Sequence, residues 1–318
     1  VLAGIDEAGL GPLLGSLAIG HAWLEVPARE LDPWRALRPT VARRPGKRAR
    51  FVVGDSKLVF QRTPKGARRL EETVLAFHAA ARAGVHVREA REFLFAASPP
   101  AELVHPLPWA SELARLPAKC APEDLELGAE LLARALHRAE IEVLGCGVRV
   151  VSAAELNASW ARTGNKADTV WELVSEVLAQ AWSLRARGTI QATVDMLGGR
   201  RRYGALLARA FPDASVSLVE EAPLRSAYRL EERRGPGRME LEFRVKGETH
   251  SFPVALASCC AKYARELEMA ALNAYFARFQ PELVPTAGYR QDGARWLAEA
   301  APALERSGVP RSALVRER

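Results

Sequence analysis

Hydrophobic positions switch between two spacings along the chain. The run Val1-Leu-Ala-Gly-Ile ends on Asp6 and Glu7 and predicts a buried strand over residues 1–6. Ser16 to Val26 predicts a second strand, its hairpin neighbour, whereas residues 27–50, rich in Pro and Arg, read as a loop or insertion. Phe51-Val-Val leads into Gly54-Asp-Ser-Lys-Leu, and residues 66–83 turn to helical spacing with Leu70, Val74, Leu75 and Phe77 on the apolar side. Residues 87–145 are the least regular. They hold Ser98-Pro-Pro, Pro106, Pro108, Pro117 and Pro122, then one amphipathic helix near 124–139, and read as an inserted subdomain or lid.

Beyond it, regular alternation returns. Gly147-Val-Arg-Val-Val-Ser is a strand, 167–185 a helix with Val170, Leu173, Val174 and Val177 on one side, and Thr189 to Asp195 a β-branched strand ending on an acid. A short helix over 202–211 and a strand over 215–219 follow. Strands over 227–232 and 239–245 flank Arg-Gly-Pro-Gly as a hairpin, and helices are predicted over 254–276 and 292–304. This order predicts an α/β fold with a mixed central sheet flanked by helices. Residues 1–86 and 146–290 form its main domain, 87–145 the insertion, and 291–318 a C-terminal helical part.

Composition narrows the function classes. The 318 residues are 48% hydrophobic, enough for a core, and 45 basic against 38 acidic side chains give a net charge of +7, compatible with a phosphate-bearing partner. There is no run of 18 apolar residues and no visible signal peptide, so no membrane partner and a cytoplasmic location are expected. Cys120, Cys146, Cys259 and Cys260 form no Cys-x-x-Cys pair, which argues against a zinc site or disulfide scaffold.

The chemistry concentrates at Asp6 and Glu7. Two carboxylates at a strand end, followed at once by the turn Gly9-Leu10-Gly11, set an oxygen-ligand site for a hard cation beside a backbone able to approach a phosphate or sugar. Neighbours in a regular strand point to opposite faces, so the two acids are expected to share a site only if the strand breaks there. Asp195 and Glu248 also fall at or just after strand ends, and two divalent cations held by such acids can clamp both oxygens of a phosphodiester in hydrolysis. Gly198-Gly-Arg-Arg-Arg, directly after Asp195, is a candidate grip on a nucleic-acid backbone.

The ordered motifs resemble one family. Gly4-Ile-Asp-Glu-Ala-Gly-Leu-Gly-Pro-Leu-Leu-Gly is similar to the opening motif of type 2 ribonucleases H, and Asp55-Ser56-Lys57-Leu58 to their Asp-Ser-Lys motif. Val151-Ser-Ala-Ala-Glu-Leu followed by Asn165 resembles their strand and loop leading into a helix, and Thr193-Val-Asp195 the strand of their third acid. Lys246-Gly-Glu248, Ala255-Leu-Ala-Ser-Cys-Cys-Ala-Lys262 and Gly288-Tyr289 stand where the family carries its later motifs.

The resemblance implies an RNase H-like fold and Mg²⁺ or Mn²⁺ in a two-metal site held by Asp6, Glu7, Asp195 and Glu248. It implies a monomer that hydrolyses RNA in RNA–DNA hybrids, or at ribonucleotides embedded in duplex DNA, leaving a 3′-hydroxyl and a 5′-phosphate. It further implies substrate contacts by Gly9, Leu10, Gly11, Ser56, Lys57, Lys262 and Tyr289. The turn backbone would read the ribose 2′-hydroxyl and Tyr289 would stack on the neighbouring sugar.

The chain departs from the family pattern at two of these positions. Leu10 replaces the central Arg of a Gly-Arg-Gly turn, and Glu248 replaces an Asp, so that Glu220, Glu221 and Glu266 stand as alternatives for the fourth ligand. A non-catalytic nucleic-acid-binding relative, or another nuclease of the same superfold acting on DNA, are the competing functions.

Overall fold

The computed structural model describes residues 1–46, 49–96 and 107–317. Its elements, in chain order, are β1 (Leu2–Ala8), β2 (Leu17–Glu25), α1 (Pro33–Ala36), β3 (Val41–Ala42), β4 (Phe51–Val52), α2 (Ser56–Phe60), α3 (Pro64–Ala80) and α4 (Ala90–Phe95). Then come α5 (Pro122–Arg138), β5 (Glu142–Val151), α6 (Ala153–Thr163), α7 (Lys166–Ser183), β6 (Ile190–Asp195), α8 (Gly204–Ala210), β7 (Ala214–Ala222), β8 (Arg225–Glu232) and β9 (Arg238–Arg244). The long helix α9 (Phe252–Ala277) is followed by α10 (Arg290–Glu299), α11 (Ala301–Ser307) and α12 (Arg311–Leu314).

Seven strands form one mixed sheet in the order β5-β2-β1-β6-β9-β8-β7. β2 runs antiparallel to β1 and β5, whereas β6 is parallel to both β1 and β9. The expected α/β class with a mixed, helix-flanked sheet is thus the one observed. Alternation along the strands sends Ala3, Ile5, Ala192, Val194, Leu241 and Phe243 to one face, where they form a core with Val170, Val174 and Val177 of α7. The opposite face packs β1, β2 and β5 against α9 and, beyond it, α3 and α5.

The approach of α9 is set by glycines. A Cβ on Gly4 would lie 2.2 Å from the Pro253 carbonyl carbon, and one on Gly20 only 1.9 Å from the Ala257 oxygen. Both clashes are with backbone, which cannot rotate away. Gly4→Ala is therefore expected to push α9 off β1 and destabilise the fold by about 3 kcal/mol, measurable as a lower urea midpoint.

Local differences from expectation have local causes. The stretch 27–50 contains α1, started by Asp32 accepting from the Trp34 N–H at 2.9 Å, and β3, which pairs with β4. A helix, α6, stands where strand and loop were expected after Val151. Ser152 caps it by accepting from the Glu155 N–H at 3.1 Å, and left-handed Gly164 ends it before Asn165 caps α7. The single helix expected over 292–304 is split into α10 and α11, the second opening on Pro302.

Of the segment 87–145, Ser98-Pro-Pro and Pro106 lie outside the described residues. The described remainder buries Phe93, Leu94, Leu125 and Leu132 in the same cluster as α3 and α9. No helix among the described residues is long and apolar enough to cross a membrane.

Candidate metal and nucleic-acid site

The parallel pairing of β1 with β6 stops at Ile5↔Val194. Past that point both strands continue without bonding each other, and the next residues are Asp6 and Asp195. Ligand oxygens of Asp6, Glu7 and Asp195 all lie within 4.8 Å of one another. The strand does not break between the two neighbouring acids, as had been expected: Asp6↔Gly20, Glu7↔Ile19 and Ala8↔Ala18 remain paired with β2. Convergence comes instead from the gap where β1 loses its β6 neighbour, which side chains from either face of the sheet can reach.

Supporting contacts fix the acids. Asp6 is buried, accepts from the Glu7 N–H at 2.8 Å and bonds the Ser258 hydroxyl of α9. Ser258 in turn lies 3.0 Å from the Ser56 hydroxyl, so the first turn of α2 is coupled to Asp6 through one side chain. Asp195 accepts from the Gly247 N–H at 2.8 Å. Burial, then the Asp195 charge and more weakly that of Glu248, push the Asp6 carboxyl up to about 7. Burial and the charges of Asp6 and Asp195 raise Glu7 well above the usual carboxylate range, and burial and Glu248 raise Asp195. Three oxygen donors that repel one another in a partly dry pocket fit a hard divalent cation, which relieves the repulsion and replaces lost hydration.

Glu248 stands one residue beyond Gly247 and its charge is felt at Asp6 and Asp195, but it is not in the close trio. The three alternatives are otherwise engaged. Glu220 pairs with Arg225, Glu221 accepts from the Tyr228 hydroxyl, and Glu266 pairs with Lys262.

The candidate substrate residues divide likewise. Lys57 is exposed on α2, whose first turn Asp55 caps by accepting from the Lys57 N–H at 2.9 Å. Lys262 is held by Glu266 and lies 4.6 Å above the Phe60 ring. Tyr289 is 46% exposed at the start of α10, next to Gly288, whose carbonyl accepts from Leu13 and Leu14 at 2.8 and 3.1 Å. In the turn, Gly9 has φ +92° and a Cβ added to Gly11 would meet nothing within 4 Å. The Leu10 side chain packs inward, lining a small cavity with Leu156, Trp160, Val170 and Lys166. Of the basic run after Asp195, Arg200 is tied to Asp168 at 2.5 Å while Arg201 and Arg202 are exposed.

Sequence reasoning passed over four residues: Ser258, Arg265, Glu268 and Arg316. Ser258 and Arg265 share a face of α9 with Lys262, at spacings of four and three, a signal available in the sequence. Arg316 had none. Ser258→Ala is expected to weaken Mn²⁺ binding about tenfold, because it removes the hydroxyl that orients Asp6; titration calorimetry measures it.

No protein-family model matches the chain, and no curated protein matches it. Among solved structures, RNase HII of Archaeoglobus fulgidus, determined in complex with PCNA, is similar at a TM-score of 0.45 and 17% sequence identity, over 100% of this chain and 93% of that one.

Proposed function

We propose that this protein is a metal-dependent endoribonuclease of the type 2 ribonuclease H kind, acting on RNA–DNA hybrids or on ribonucleotides embedded in duplex DNA. The observation that carries the reading is the meeting of Asp6, Glu7 and Asp195 within 4.8 Å at the start of the glycine turn. The ordered motifs of the sequence and the mixed sheet that delivers these acids support it.

Asp6, Glu7 and Asp195 would hold Mg²⁺ or Mn²⁺, with Glu248 beside them. The bound ions would supply Lewis-acid stabilisation of the phosphodiester and a more acidic water. The chain's own residues do the rest. Ser258 and the Gly247 amide orient Asp6 and Asp195, the turn Gly9-Leu10-Gly11 presents backbone to the ribose, and Tyr289 offers an exposed ring to the adjoining sugar. Leu10 brings no charge to the phosphates. Exposed Lys57, Arg201 and Arg202 are the cations available to them, and such contacts position a duplex without reading its sequence.

The test is incubation with a labelled RNA–DNA hybrid and with a duplex holding one ribonucleotide, in Mg²⁺ and in Mn²⁺. Cleavage leaving a 3′-hydroxyl and a 5′-phosphate is expected. Tight binding without cleavage in either metal would instead support a non-catalytic relative, a reading favoured by Glu248 standing outside the close trio. Cleavage of all-DNA substrates would support a DNA-directed nuclease.

A further inference from the structure

The glycine turn is held from behind by residues 311–317. Arg316 is buried at 6% exposure, and its guanidinium donates from Nη1 to the Gly9 carbonyl and from Nε to the Gly15 carbonyl at 2.7 Å. Its backbone N–H donates to the Leu13 carbonyl at 3.0 Å, the Gly15 N–H donates to the Leu314 carbonyl at 3.3 Å, and Leu14 bridges to Val315. The segment is itself fastened by buried Asn157 of α6. Nδ2 of that side chain donates to the carbonyls of Ser312 at 3.1 Å and Val315 at 2.9 Å, and its Oδ1 accepts from the Glu317 N–H at 2.8 Å.

A second buried guanidinium, Arg265, holds the far half of the loop through the carbonyls of Ser16 at 2.8 Å and Leu14 at 3.2 Å. Buried Glu268 accepts from the Ser16 N–H at 3.2 Å, and its charge interacts with those of both arginines. Burying a guanidinium is costly unless its donors are used. Here Nε and Nη1 of Arg316 and Nη1 and Nη2 of Arg265 donate to main-chain carbonyls of this loop, Arg265 Nη2 also reaching the Ala287 carbonyl at 3.2 Å, so the arrangement specifies the loop's conformation.

The consequence for the site follows from the planarity of the peptide. In a trans peptide the C=O of residue 9 and the N–H of residue 10 point in opposite directions. With the Gly9 carbonyl drawn to Arg316, the Leu10 N–H is aimed away from the buried guanidinium. Gly9, at φ +92°, is free of the Cβ restraint that would otherwise resist a flip of this peptide. Among the described residues, Arg316 is the side chain that donates to the Gly9 carbonyl.

We propose that Arg316 is the positioning residue of the glycine turn, and that through it residues 311–317 set how well the turn distinguishes a ribose from a deoxyribose. The inference rests on the ribonuclease reading above and deepens it.

The test uses the full chain in an Asp195→Asn background, which is expected to bind without cutting. Affinities are measured for a duplex with one ribonucleotide and for the all-DNA duplex of the same sequence. Arg316→Gln is expected to weaken the ribonucleotide duplex about tenfold while leaving the all-DNA duplex nearly unchanged, the loss expected for charge-assisted hydrogen bonds. Arg316→Lys, which keeps the charge but cannot span both carbonyls, should lose part of the discrimination. Asn157→Ala, which loosens the segment without touching the turn, should lose part of it too.

A purely structural role would lower the melting temperature, or weaken both duplexes equally, and leave their ratio unmoved; that result overturns the inference. Should Arg316→Gln fail to melt cooperatively, the ratio in the Lys and Asn157 variants decides in the same way. A parent protein that binds both duplexes equally overturns the ribose-reading assignment, and this inference with it. A discriminating parent with unchanged variants overturns this inference alone.

Discussion

Asp195→Asn and Asp6→Asn are each expected to lower hybrid cleavage at least about a thousandfold while preserving duplex binding. Both residues belong to the trio whose oxygens lie within 4.8 Å. An amide keeps the shape but removes the negative charge that makes the trio attractive to a divalent cation. Loss of the metal site removes several kcal/mol of transition-state stabilisation, and each ~1.4 kcal/mol is a tenfold change in rate. Binding should survive because the groups available to the nucleic-acid backbone, Lys57, Arg201, Arg202 and the glycine turn, are untouched. Glu248→Gln provides the internal scale. Glu248 acts on Asp6 and Asp195 through its charge from outside the trio, so its loss should cost about tenfold, far less than the other two. Single-turnover cleavage of a labelled hybrid measures all three. Full activity in both Asp variants would remove the site assignment, and a Glu248→Gln protein as inactive as they are would move Glu248 into the ligand set.

What could be read from the chain before its structure was known is uneven, and the unevenness has physical reasons. Asp6, Glu7 and Asp195 were legible because an acid at the end of an apolar, β-branched run is hard to explain as ordinary surface. The parallel sheet then brought the two strand ends together. The means by which Asp6 and Glu7 converge was not legible. Period-two alternation sends them to opposite faces, and only the pairing register shows that β1 loses its β6 neighbour after Ile5. The α6 cap, Ser152 accepting from the Glu155 N–H, follows directly on the apolar strand, whose period-two pattern gives no sign of a helix start. Leu10 looked like a lost phosphate contact. The structure adds that its side chain packs inward against Leu156 and Trp160, so the turn presents backbone. Arg316 was invisible because its partners, Gly9 and Gly15, are about as distant in sequence as this chain allows. Main-chain carbonyls leave no residue-type signature at such separations.

The site should also make stability depend on pH in opposite senses with and without metal. Asp6 is raised from 3.8 to about 7, chiefly by burial and then by the Asp195 charge, while burial and the charges of Asp6 and Asp195 raise Glu7, and burial and the Glu248 charge raise Asp195. A carboxyl whose pKa is higher folded than unfolded favours the fold while protonated. Its contribution is complete below the unfolded value near 4 and is lost as pH rises through the folded value. In chelator, the melting temperature of the wild-type protein relative to Asp6→Asn should therefore fall between pH 5 and pH 8, on the order of 5 °C. The comparison with Asp6→Asn removes the contribution of carboxylates elsewhere, such as Asp292, which its hydrogen bonds to Thr286, Arg295 and the Ala287 amide hold below the usual range. With millimolar Mg²⁺ or Mn²⁺ the sign reverses. The ion binds the ionised trio in the folded state, so wild type gains stability over the variant as pH rises, and binding releases protons. Differential scanning fluorimetry across this pH range, with and without metal, gives both curves. Parallel curves for the two proteins in chelator would show that burial and the neighbouring acid charges do not raise Asp6 in the folded protein.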